Sequence, residues 1–209
     1  MADDLLLHEP FENPARQRVA VPFGMWAFLT TEILFFAGIF LFYAHSRWNG
    51  GQAFLEGAKE SAFWYGTINT AILMTSSLAM AIAERANRLS VMPLVRAMLW
   101  LTILLGTVFL VVKGLEYHKD VSEHLVPGPH FKLEHGPAEQ FWAFYWTATG
   151  VHAVHLTIGI GAVMRLAWID WRSDLSRRDT LIEATALYLH LVDIIWLTLY
   201  PLLYLAGRQ

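Results

Sequence analysis

The chain has 209 residues, of which 56% are apolar, 14% aromatic and only 16% charged, with a net charge of −3. An ordinary soluble domain carries about 25% charged residues; here the charges are gathered into short stretches between long runs nearly free of them, the distribution of membrane-spanning segments. The lack of any cysteine excludes disulfides, thiolate metal sites and thiol nucleophiles, and the lack of a basic excess argues against nucleic acid as a partner.

Residues 1–18 (MADDLLLHEPFENPARQR) hold acids, prolines and arginines but no apolar run, and read as a polar N-terminal tail instead of a cleavable signal. Within one domain, 19–209, five apolar runs follow. The first covers 22–45, opened by Pro22, a residue suited to a first helical turn. The second covers 64–84 and ends in the charged turn Glu84-Arg85-Ala86-Asn87-Arg88. The others cover 95–117, 141–168 and 181–205. Each has about 20 residues or more, enough at ~1.5 Å per residue to cross a ~30 Å hydrocarbon core. Backbone groups in lipid must bond within their own segment, so the runs predict an all-α, polytopic bundle of five transmembrane helices.

Trp26, Trp48, Trp64, Trp142, Trp168 and Trp171 fall near the run ends, where amphipathic rings favour the headgroup zone. The side bearing the N-terminus carries nine of the fifteen Lys and Arg residues and the opposite side six, a bias that places the N-terminus in the cytoplasm. The long loop 118–140 then faces outward. Its His118, His124, His130 and His135 match no standard ligand spacing and read as solvated.

Ionisable residues at membrane depth cost about 2.5 kcal/mol or more and need partners. Glu32 lies nine residues into the first run, among Phe28, Leu29, Phe35 and Phe36, and is expected to be protonated or paired. His152 and His155 share one face of the fourth helix, with Gly159 one turn on. Glu183, His190, Asp193, Trp196 and Tyr200 form one stripe on the fifth, His190 and Asp193 at hydrogen-bonding spacing. Glu32, His152, His155 and His190 come to similar depths, which predicts one polar layer in the bundle interior. Helix two adds a milder face with Asn69, Ser76 and Glu84; Lys113 and Glu116 close helix three, where both are expected to reach the headgroups. Three readings compete. Haem or metal ligation needs facing partners, and two histidines at i, i+3 on one helix cannot hold both faces of one haem. A proton or ion path needs a water-filled route and broken helices, and Pro201 lies too late to unwind helix five at its middle. Mutual bonding that fixes helix packing needs neither, and physics favours it.

Particular strings add to this reading. FGMWAFLTTEILFFAGIFLFYAHSRW, with Thr31 and Glu32 ahead of Phe35 and Phe36, resembles the signature helix of subunit III of haem-copper terminal oxidases. GVHAVHLTIG resembles that family's Gly-x-His-x-x-His-x-x-x-Gly helix, LYLHLVDIIWLTLYPLLYLAG its closing helix with His-x-Val-Asp-x-x-Trp, and GLEY at 114–117 a further segment. The four segments stand in family order across most of the chain. The resemblance implies an accessory subunit in a bacterial inner membrane, without turnover or cofactor of its own. It would pack on the catalytic subunit I, which carries the haem and copper, bind phospholipid, and support proton uptake and enzyme lifetime. It places Glu32 at the family's carbodiimide-reactive carboxylate, and His152, His155, His190 and Asp193 in its interior polar network, with Glu116 in the GLEY segment. Two features differ from the mitochondrial pattern. The two N-terminal helices are lacking, so lipid-binding residues do not carry over, and Leu187 and Leu189 replace aromatic residues. Cytochrome c oxidase is the expected branch, with quinol oxidase and the subunit beside nitric oxide reductase as the alternatives.

Overall fold

The computed structural model of the protein describes residues 14–133, 136–172 and 179–208. Its regular elements there are all helical: α1 (Pro14–Lys59), α2 (Phe63–Arg88), α3 (Met92–Ser122), α4 (Pro137–Arg172) and α5 (Asp179–Tyr200), which runs on into a widened π turn (Pro201–Leu205) and a tight 3-10 turn (Ala206–Arg208). Five helices are long and apolar enough to span a membrane. The expected N-terminal tail overlaps α1 at residues 14–18, and residues 1–13 lie outside the described part.

The helices outrun the apolar stretches that announced them. At ~1.5 Å per residue the 31 residues of α3 and the 36 of α4 reach ~46 and ~54 Å, well beyond the hydrocarbon core. Their last turns hold charged side chains such as Lys119 and Asp170. A helix nucleated in lipid propagates cheaply into the headgroup zone, where side chains can be solvated but the backbone still gains a bond per residue. Prolines open three of the helices: Pro14 at the start of α1, Pro93 in the first turn of α3 and Pro137 at the start of α4, where a missing N–H costs nothing.

Helices α2, α3, α4 and α5 form a ring in which α3 touches α2 and α4, and α5 closes the ring against α2 and α4; α1 lies outside, against α4 and α5. The sequence has the matching asymmetry. α1 is the least buried helix and α5 the most; α1 turns Phe23, Trp26, Leu34, Leu41 and Trp48 outward, a surface suited to acyl chains. The core is aromatic, with Phe36, Phe54, Phe109, Phe141, Phe144 and Trp196 fully buried. Trp142 corrects the expected interfacial belt. It is completely buried, packed edge-on to Phe141 and Tyr145, because its helix begins at Pro137 and that stretch already faces the bundle.

One turn inside α1 departs from helical geometry. Gly51 has φ 52° and ψ −128°, a conformation that clashes for a residue with a Cβ. The break lets residues 52–59 swing over the bundle end, where Phe54 meets the rings of Tyr43 and Phe141. Gly51→Ala is therefore expected to lower stability by about 1–2 kcal/mol. Gly24→Ala, in open helical surface, should be neutral or stabilising by up to ~1 kcal/mol. Thermal unfolding of both variants checks the pair, and equal midpoints would contradict it.

Candidate functional site

The ionisable residues fall into three seams. On the first, between α1 and α4, His155 Nε2 lies 2.8 Å from Glu32 Oε2. The other ring nitrogen, Nδ1, is 2.8 Å from the Val151 carbonyl, which only accepts, so Nδ1 carries a hydrogen. The Nε2–Oε2 contact then needs one further proton, held either as neutral carboxylic acid and imidazole or as imidazolium and carboxylate. Either way the pair is net neutral, as its low-dielectric setting favours. Phe36 packs edge-on to the His155 ring at 5.2 Å between centroids, and the Tyr188 hydroxyl donates to the His155 carbonyl at 3.1 Å. The pair thus ties the outlying α1 to α4, with α5 behind it.

On the second seam the predicted stripe of α5 meets a row of hydroxyls on α2. Thr67 accepts from the Tyr200 hydroxyl at 2.9 Å and Thr70 from the Trp196 indole N–H at 3.1 Å. Each threonine spends its own hydrogen on a carbonyl one turn back, Phe63 and Gly66. Ser77 lies 3.0 Å from His190 Nδ1. His190 and Asp193, expected to bond directly, stand 4.0 Å apart, and His190 turns to the Ser77 hydroxyl of α2. Asp193 also lines, with Ser76, Ser77 and Thr102, a cavity of about 10 Å³, room for about one water. Glu183 lies at the bundle end, 3.7 Å from Arg88.

His152 sits apart from both. Its side chain is fully buried between Trp196 and Phe109, at 5.0 and 5.7 Å between ring centroids, and neither ring nitrogen has a partner among the described residues. The expected single layer of Glu32, His152, His155 and His190 is thus divided. Glu32 and His155 meet, His190 faces α2, and His152 fills the ring interior.

The third seam corrects the placing of Lys113 and Glu116 at the headgroups. Both are buried, at 2% and 1% exposure, as is Asp120 at 2%. Lys113 Nζ donates to Glu116 Oε2 at 3.0 Å, to the Tyr145 hydroxyl of α4 at 3.0 Å and to the Tyr204 hydroxyl at 2.9 Å. Tyr204 donates to Glu116 Oε1 at 2.7 Å, and the Tyr145 oxygen lies 3.0 Å from Glu116 Oε1 and 2.6 Å from Asp120 Oδ2. Two backbone features place Tyr204. Pro201 has no N–H for a helical bond, and the chain widens so that the Ala206 N–H reaches back to the Pro201 carbonyl. Gly66 then leaves room for the ring, since a Cβ there would lie 2.7 Å from it. Asp120 falls outside the expected third helix because that run ends at Tyr117, while Tyr145 and Tyr204 lie within the fourth and fifth runs and carry no charge to single them out. The legible signal was the spacing of Thr102, Gly106, Phe109, Lys113, Glu116 and Asp120, one continuous buried face of α3.

Among the described residues no three His, Asp or Glu side chains converge as a metal site. Of the loop histidines, His118 lies on an exposed turn of α3, His124 and His130 are exposed, and His135 is outside the described residues.

Comparison with known proteins settles what the bundle is. The family profile for cytochrome c oxidase subunit III matches residues 13–208. The chain belongs to that family. It is 33% identical to cytochrome c oxidase subunit 3 of Corynebacterium diphtheriae, over 91% of this chain and 93% of the relative. It is 27% identical to cytochrome bo(3) ubiquinol oxidase subunit 3 of Pseudomonas aeruginosa, over 88% and 84%. A heme-copper oxidase subunit I+III of Aeropyrum pernix matches at 29%, over 87% of this chain and 22% of its own length. This subunit III is a multi-pass protein of the bacterial cytoplasmic membrane and part of a haem-copper oxidase complex.

In this subunit the Glu32–His155 bond makes a definite claim. Gln at position 32 can donate an amide hydrogen to Nε2, so Glu32→Gln is expected to leave assembly and thermal midpoint close to wild type. Glu32→Ala strips the partner from a part-buried nitrogen and should cost about 1 kcal/mol. Thermal unfolding of the purified complex separates the two, and equal damage from both would show an ion pair that an amide cannot replace.

Proposed function

We propose that this chain is the cofactor-free accessory subunit III of an aerobic respiratory oxidase of the cytochrome c type. It packs on catalytic subunit I, where haem and copper reside, holds phospholipid, and supports proton uptake and the lifetime of the active enzyme. The observation that carries the reading is the match along nearly the whole bundle to a cytochrome c oxidase subunit, at 33% identity against 27% for the quinol oxidase relative. The joining of subunits I and III in the name of the Aeropyrum pernix relative supports subunit I as its neighbour. The interior chemistry suits a structural role: hydroxyls, rings and charges answer one another across helix seams, which is how polar groups fix helix packing in lipid.

The orientation follows from charge. Arg85, Arg88, Arg96 and Arg165 belong to the bundle end where α2 passes into α3 and α4 toward α5, while Lys59, Lys119, Lys132 and Arg208 belong to the other end. The arginine-rich end, with the N-terminus, lies in the cytoplasm.

The test is mild solubilisation through a C-terminal tag, with a reduced-minus-oxidised spectrum and oxidation assays with cytochrome c and quinol. The expected result is a large haem-bearing subunit in the same material, an a-type haem band and turnover with cytochrome c. An o-type band with quinol turnover would move the chain to the quinol branch. A chain that emerges alone and colourless but carries proton flux in liposomes would make it a free-standing transporter.

A further inference from the structure

The Lys113 cluster can be read hydrogen by hydrogen. Lysine has three N–H bonds, and all three are used, on Glu116 Oε2, Tyr145 and Tyr204. The single hydrogen of Tyr204 goes to Glu116 Oε1. Tyr145 also has a single hydrogen, yet its oxygen is within bonding distance of two carboxyls, Glu116 Oε1 at 3.0 Å and Asp120 Oδ2 at 2.6 Å. With both carboxyls ionised, one of these contacts has no hydrogen in it, and the site carries one ammonium against two carboxylates. The side chains of Lys113 and Glu116 are 3% and 1% exposed, and a net charge so enclosed is costly.

One added proton removes both difficulties. Placed on Asp120 Oδ2, it donates to the Tyr145 oxygen, which frees the Tyr145 hydrogen for Glu116 Oε1. Every short contact then holds one hydrogen with one direction, and the charges sum to zero. Glu116 is held as the carboxylate by the Lys113 ammonium and the Tyr204 hydroxyl, both of which donate to it, whereas the hydrogen-bond partner of Asp120 is Tyr145, so the proton belongs on Asp120. The 2.6 Å separation alone suits either protonation state; the second Tyr145 contact and the charge count decide between them.

We propose that Asp120 carries a proton in the native protein, so that Lys113, Glu116, Asp120, Tyr145 and Tyr204 form a buried proton-binding site. The site is built to load and unload. When the proton leaves, the Tyr145 hydrogen turns from Glu116 to Asp120 while the heavy atoms stay in place. Asp120 lies in the last turn of α3, near the loop that follows Ser122. The groups facing it are few. On α3 they are Lys113, Glu116, Tyr117 (whose ring centre is 5.1 Å from Nζ) and Glu123, itself 3.7 Å from Lys119. Tyr145 faces it from α4 and Tyr204 from the π turn.

The proposal rests on this chain's own atoms and holds whichever oxidase branch the chain serves. Its test is infrared spectroscopy of the purified membrane complex as wild type, Asp120→Asn and Asp120→Glu. A protonated carboxyl gives a C=O stretch clear of the carboxylate bands that shifts in heavy water. Wild type is expected to show a band of this kind that is lost in Asp120→Asn, displaced in Asp120→Glu and unchanged in Glu32→Gln. Asn is a neutral near-isostere of the protonated acid that keeps a donor for Tyr145, so Asp120→Asn should assemble. Spectra that superimpose in this region, or failure of Asp120→Asn to assemble, would overturn the proposal.

Discussion

A lysine sealed inside a helix bundle has no water to turn to, and the structure depends on how Lys113 is answered. Its three hydrogens are taken by three different elements: Glu116 on its own helix, Tyr145 on α4 and Tyr204 in the π turn after α5. No pair of these elements can slide without stranding a charge. A buried ion pair adds little net stability over well-packed apolar residues, but removing one partner typically costs about 3–5 kcal/mol. The cluster is therefore best understood as fixing register. It makes the widened turn at Pro201 the right geometry, because a regular helix through 201–205 would carry Tyr204 elsewhere. The carbonyls released by that turn are also taken up, Leu202 by the Tyr43 hydroxyl at 3.1 Å and Leu203 by Ser61 at 3.0 Å.

The other two seams follow the same rule with weaker groups. Between α2 and α5 hydroxyls accept from Tyr200 and Trp196 while donating to their own helix, so each pairing is complete. Interhelical bonds of this kind are worth ~0.6 kcal/mol on average in membranes, and several in one row hold α5 in rotation against α2. Between α1 and α4 a net-neutral pair, Glu32 with His155, joins the Tyr43 bond to the turn after α5 in anchoring the helix outside the ring. The protein places its strongest polar contact at the ring of four helices and its most modest one on the helix outside it. His152 has aromatic rings on two sides in place of such a partner.

Much of this was legible in the sequence, and the gaps have physical causes. Five apolar runs announce five helices because nothing else satisfies a backbone in lipid, and of the expected stripe Glu183, His190, Asp193, Trp196 and Tyr200 the side chains of His190, Trp196 and Tyr200 bond α2. The strings around Glu32, His152 and His190 pointed to the family that the whole-chain match then established. Hydropathy misled where it was used to end helices. Ending the third run at Tyr117 put Lys113 and Glu116 near the lipid headgroups and left Asp120 in a loop, although their spacing continues the buried face of Thr102, Gly106 and Phe109. Trp142 was misplaced by the same boundary effect. The break at Gly51 and the pairing of His190 with Ser77 depend on tertiary contacts that no local pattern encodes.

The claim that Lys113 couples α3 to the turn after α5 is tested most directly by a double-mutant cycle on the purified complex, with Lys113→Met, Tyr204→Phe and the double variant compared by unfolding free energy. The account predicts that both single changes destabilise and that the double variant loses less than their sum, with a coupling of about 1 kcal/mol or more. Losses that add to within ~0.5 kcal/mol would show that the two groups touch without holding the bundle together.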